Sequence, residues 1–148
     1  MSTMSQNLQP AVATALQRWH EMLERKDFSQ LSEIVHPEAV FRSPIANTPY
    51  APAQALILVL TTVIQVFENF AYHRQLATDD GLSVVLEFSA QVEGKNLKGI
   101  DLIRFNSDGL IVEFEVMVRP LNSLQALGAQ MAARLSDKMP AFKVKASA

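Results

Sequence analysis

Gly99-Ile100-Asp101-Leu102-Ile103-Arg104-Phe105-Asn106-Ser107-Asp108-Gly109-Leu110-Ile111 reads as a strand, a tight turn and the start of a second strand. Asp101 stands inside the first of these strands, among aliphatic and aromatic neighbours. A carboxylate buried charged and alone is costly, so this group is expected to be protonated, paired or exposed. Pointing into a cavity, it becomes the leading candidate for chemistry in the chain. Alternation puts Asp101 on one strand face with Gly99, Ile103 and Phe105, and Leu102 and Arg104 on the other.

Working outward, every even position of the preceding segment is apolar. Leu82, Val84, Leu86, Phe88, Ala90 and Val92 are apolar, while Ser83, Glu87, Ser89, Gln91 and Glu93 between them are polar. That is a long, half-buried antiparallel strand. Asp79-Asp80-Gly81, Glu93-Gly94-Lys95-Asn96 and Asn106-Ser107-Asp108-Gly109 are turns at hairpin spacing. Together they divide the region into four strands, about 71–78, 82–93, 96–105 and 109–118. On the last of these, Leu110, Val112, Phe114, Val116 and Val118 share a face. Ile111, Glu113, Glu115, Met117 and Arg119 share the other.

The first half has helical period. Val12, Ala15, Leu16, Trp19, Met22 and Leu23 give an amphipathic helix over 10–26. Asp27 with Gln30 resembles a capping box for a second helix, burying Phe28, Leu31, Ile34 and Val35 and ending before Pro37. Residues 39–43 read as a short strand and 44–52, with three prolines, as a loop. A largely buried third helix is expected over 51–68 and a final amphipathic helix over 121–136, with a loose tail after Pro140. The order is therefore αα-β-α-ββββ-α in one α+β domain spanning 1–148, with its core at about 10–136.

Bulk composition excludes several classes. The chain has 148 residues, 49% of them hydrophobic and 19% charged, as in compact folded domains. A formal charge of −2 with scattered basic residues argues against nucleic-acid binding. There is no cysteine, so disulfide and thiolate chemistry are absent. Residues 1–9 are polar without a signal-like apolar core, and the longest apolar stretch, 55–63, is too short to span a bilayer. A cytoplasmic protein without membrane contact is expected. The histidines, His20, His36 and His73, share no ligand spacing, so no metal site is expected. Too few glycines are present for a phosphate loop.

The order and spacing of Gln17-Arg18-Trp19, Val40-Phe41-Arg42-Ser43-Pro44-Ile45-Ala46, and Ile100-Asp101 with Arg104-Phe105-Asn106 resemble the nuclear transport factor 2-like (NTF2-like) superfamily. The SnoaL-like and ketosteroid isomerase-like branches look most similar. The resemblance, covering about 10–135, implies a cystatin-like cone: a curved antiparallel sheet wrapped around the N-terminal helices, enclosing an apolar pocket. It also implies a homodimer packed through the outer sheet face, and no cofactor. Asp101 falls where such isomerases keep a protonated aspartic acid that donates to a developing oxyanion. Trp19 falls where they have a tyrosine donor, and Ser43 where they have the proton-abstracting aspartate. An indole N–H donates but does not exchange protons near neutral pH, and a serine hydroxyl is no base by itself. These two departures argue against authentic ketosteroid isomerase activity.

The candidate catalytic groups are therefore Asp101, as acid or oxyanion donor, and His73, as a base if its strand turns it inward. Either His73 or Arg74 should point into the pocket. Trp19, Ser43, Leu86, Phe88, Phe105, Phe114 and Val116 are expected to line it. His20 and His36 read as surface. Two functions fit: a cofactor-independent isomerase, cyclase or dehydratase acting on an apolar carbonyl compound, or a module that binds an apolar small molecule or a protein partner without chemistry.

Overall fold

The computed structural model describes residues 7–144. Helix α1, Pro10–Arg25, starts with proline in its first turn, where no amide hydrogen is needed, and ends at Lys26 in a left-handed conformation. Its apolar stripe of Val12, Ala15, Leu16, Trp19 and Met22 is buried. The second predicted helix contracts to one 3₁₀ turn, Leu31–Ile34. Asp27 caps only a local turn, its carboxylate accepting from the Ser29 amide at 3.0 Å. Pro37 lies too close downstream for a helix to propagate, and strand β1, Val35–Arg42, begins directly after the turn.

Helix α2 spans Ala53–Val66, and strands β2 (Glu68–Ala77), β3 (Ser83–Val92), β4 (Lys95–Phe105) and β5 (Ile111–Arg119) form the predicted meander. Helix α3, Leu121–Leu135, follows, and a 3₁₀ turn at Met139–Phe142 is the last element. The sheet order is β1-β5-β4-β3-β2. All pairings are antiparallel except β1 with β5, which is parallel, so the curved, unclosed sheet is mixed. Pro37 is accommodated because β1 is an edge strand and the register slips between Val35 and Val40.

The tail is not loose as far as residue 144. Phe142 accepts from the Ala51 amide and Pro49 from the Val144 amide, both at 2.9 Å, tying the segment to the loop after β1. Residues 1–6 and 145–148, on which the N-terminal and remaining tail expectations rest, lie outside the described residues. No helix among the described residues is long and apolar enough to cross a membrane.

The even positions of β3 are buried as expected, Val84, Leu86, Phe88, Ala90 and Val92 all being at most 4% exposed. Strand β5 departs from simple alternation. A bulge opposite Arg104 and Phe105 pairs Phe105 with Ile111 but Arg104 with Glu113. The extra residue turns Ile111 into the core, where it is fully buried, against the alternation read from sequence.

Gly99 pairs with Phe88, whose ring covers it. A Cβ at Gly99 would press on the Met117 carbonyl oxygen and sit 2.6 Å from Phe88 Cζ. Gly99→Ala is therefore expected to cost about 1–3 kcal/mol of stability, read as a lower urea midpoint with an unchanged slope. An unchanged midpoint would mean that the sheet yields at this point.

Candidate functional site

Between the sheet, α2 and α3 lies a cavity of about 330 Å³, within the size range of small-molecule pockets. Its wall is overwhelmingly apolar. Val59, Leu60 and Val63 come from α2, Leu127, Met131 and Leu135 from α3, and Phe70 from β2. Ile45, on the loop after β1, folds onto α3 at Gly128, where a Cβ would lie 2.7 Å from Ile45 Cδ1. The absence of a side chain at Gly128 lets that loop rest on the helix at the cavity's edge.

The polar end of the cavity is a directed chain of hydrogen bonds. Trp19 Nε1 donates to the Tyr72 hydroxyl at 3.0 Å, and that hydroxyl donates to Asp101 Oδ2 at 2.5 Å. The direction is forced, because an indole N–H can only donate, so the Tyr72 oxygen accepts there and spends its own proton on Asp101. All three residues line the cavity. Trp19 is held by stacking on Phe28, with ring centroids 5.4 Å apart, and by an edge contact with Phe114 at 5.6 Å.

Asp101 is 6% exposed, and no described Arg or Lys forms an ion pair with it. Burial pushes its carboxyl up to about 7, and the Tyr72 hydrogen bond only partly opposes the rise. The same burial, reinforced by the neighbouring carboxyl, raises the Tyr72 phenol well above its ordinary value, so it stays a neutral donor. With the Tyr72 proton aimed at Oδ2, the proton of neutral Asp101 belongs on Oδ1. At neutral pH the site thus offers a carboxyl group divided between its acid and base forms.

Four expected lining residues are placed elsewhere. Leu86, Phe105 and Phe114 face inward but are packed in the main core, and Phe88 belongs to a second buried cluster with Val66, Ala90 and Leu127. The inner sheet face is longer than the cavity, so inward direction alone does not place a residue on its wall. Trp19, Ser43 and Val116 do line it.

Neither His73 nor Arg74 enters the cavity, against expectation. The register slips between Tyr72 and Gln75, and the bulge leaves both His73 and Arg74 exposed on the outer side. His73 Nε2 lies 2.7 Å from Ser89 Oγ there, and Arg74 joins Lys98 in clamping Glu87. The strand residue that enters the site is Tyr72, which the sequence reading passed over. Its pairing opposite Phe88, on a strand whose Phe70 also turns inward, was the available signal. His20 is half-buried rather than purely a surface residue: its ring packs edge-on against Tyr72 at 5.4 Å, and burial lowers its pKa.

Ser43 is occupied structurally. Its Oγ accepts from the amides of Ile45 at 3.0 Å and Ala46 at 3.4 Å. Among the described residues, no group of three His, Asp or Glu side chains is placed to hold a metal ion.

The sequence matches the SnoaL-like domain over residues 16–114. The chain belongs to the SnoaL-like family. A crystal structure of a steroid delta-isomerase from Pseudomonas aeruginosa is similar at 57% identity and a TM-score of 0.86, over 88% of this chain and 95% of that one. A bacterial protein with a cystatin-like fold from Silicibacter pomeroyi is 30% identical, with a TM-score of 0.79 over 90% of each chain. An NTF2-like protein of unknown function from Mesorhizobium loti shares the fold alone, at 19% identity and a TM-score of 0.65 over 76% of this chain and 93% of that one. None of the curated proteins matches the chain. The SnoaL-like domain, with its apolar cavity closed by a buried polar end, has the make-up of a small-molecule-binding NTF2-like protein.

Proposed function

We propose that this SnoaL-like protein is a cofactor-independent enzyme acting on an apolar carbonyl compound, with Asp101 as its acid. The Trp19–Tyr72–Asp101 chain at the end of an apolar cavity carries this reading. A carbonyl oxygen reaching that end meets the Asp101 O–H, and the Tyr72 hydroxyl, donating to Oδ2, holds that carboxyl preorganised where charge develops. Protonation of the oxygen leaves Asp101 as a carboxylate. That carboxylate takes a proton from carbon, giving the enol and regenerating the acid; the acid then protonates another carbon while the enol O–H returns its proton to the carboxylate, which completes an isomerisation. The same exchange serves the enolisation step of a cyclisation or dehydration. One carboxyl group poised near neutrality can act in both directions, so no separate base at Ser43 is required. Similarity to a steroid delta-isomerase supports an apolar ketone as the substrate class.

The reactive free form carries protonated Asp101. With its pKa near 7, kcat/KM is expected to be level below that pH and to fall about tenfold per unit above it. A pH–rate profile on a generic enolisable ketone checks this; a rate that rises through neutrality would reverse the assignment.

A second reading, a binding protein without catalysis, is favoured by one observation: the Ser43 Oγ is committed to the backbone amides of Ile45 and Ala46. We also infer pairing of two copies through the outer sheet face, supported by Leu76 and Met117, 60% and 45% exposed among charged neighbours.

A further inference from the structure

Only two charged side chains stand among the described residues that line the cavity, Asp101 and Lys143. They occupy opposite situations. Asp101 is buried, whereas Lys143 is exposed and lies with exposed Ile45, Ser136 and Pro140, which marks the mouth. The Lys143 backbone is fixed there. It bridges to Tyr50, its amide donates to the Pro140 carbonyl at 3.3 Å, and the next amide donates to Pro49 at 2.9 Å. Several described basic groups besides Lys143 lack a carboxylate partner, Arg25, Lys26 and Lys95 among them, but Lys143 alone of the described basic residues lines the cavity.

We propose that Lys143 is a specificity-determining residue that binds an anionic group at the far end of the ligand, so that the natural substrate is an apolar oxo-acid. The inference rests on the carbonyl-binding reading of Asp101, and it adds the second end of the molecule. An apolar wall cannot discriminate along the ligand's length, whereas a cation at a low-dielectric opening attracts a carboxylate and fixes which end enters first. Ser136, on the same rim, supplies a hydroxyl that can donate to the same carboxylate.

The test uses the full chain and two probes, 10-oxoundecanoic acid and its methyl ester, which differ in charge but present the same ketone. Trp19 is the sole tryptophan and lines the cavity, so its fluorescence reports binding. The acid is expected to bind about five-fold tighter than the ester at low salt, as for a partly exposed ion pair. Lys143→Met, an exposed change, should reduce that ratio to near one while leaving the ester's affinity unaltered, and raised salt should do the same. A ratio near one in the unaltered protein, or one that survives Lys143→Met, overturns the role of Lys143. Methyl undecanoate, which lacks the oxo group, separates the underlying reading: an ester ketone that binds no better than this compound overturns the carbonyl site instead. No binding by either oxo compound overturns both.

Discussion

Asp101→Asn is expected to lower kcat by about 10²–10⁴ while changing ligand affinity only a few-fold. Asparagine preserves the shape of the site. Its carbonyl oxygen can accept from Tyr72 as Oδ2 does, and its amide can still donate one hydrogen bond to a bound carbonyl. What it cannot do is release a proton to the oxygen and take one from carbon. Binding and turnover should therefore separate cleanly, with KM little changed and kcat lost. Turnover that survives the substitution would remove Asp101 from the chemistry. An unaltered protein that binds ketones tightly but never turns them over would leave the non-catalytic reading standing, with Asp101 as a ligand anchor.

The second large effect is on stability, and it changes with pH. The Asp101 carboxyl rises from 3.8 to about 7 on folding, so between those values the folded protein holds a proton that the unfolded chain has released. Its contribution is therefore fully present below about pH 4 and is lost as pH rises through about 7. At 1.36 kcal/mol per unit the loss amounts to about 4 kcal/mol, a large share of the stability of an ordinary domain. An asparagine at this position is neutral at every pH and does not suffer it. The stability of Asp101→Asn relative to the unaltered protein should thus climb by about 4 kcal/mol between pH 4 and pH 8 in urea unfolding. A difference that stays flat across this range would mean that the carboxyl titrates normally.

Much of the fold was legible because it rests on period and punctuation. The alternation of Leu82 to Val92 and the glycine-bearing turns at 81, 94 and 109 are local signals that tertiary packing reinforces. The second helix failed because Asp27 and Gln30 mimic a cap while Pro37 leaves no length to propagate. The two bulges were invisible to a period-two reading. One turned Ile111 inward, and the other turned His73 outward together with Arg74.

For the site, Asp101 stood out because a carboxylate within an apolar strand conflicts with its surroundings, and such conflicts concentrate where function does. Tyr72 gave no such signal, since tyrosine is common in strands and its value here depends on two partners 53 and 29 residues away. Leu86, Phe88, Phe105 and Phe114 were indistinguishable by pattern from true lining residues. Only the volumes of the helices packed above them decide where the cavity stops.

The proposed chemistry depends on an acid without a cationic partner, enclosed by apolar surface and still about half protonated at neutral pH. NMR titration of the Asp101 side-chain carboxyl carbon in labelled protein, assigned by its loss in Asp101→Asn, reads this property at its source. A midpoint of about 7 is expected. A midpoint near 3.8, the ordinary value for aspartate, would show that the carboxyl is ionised at neutral pH and cannot serve as the acid.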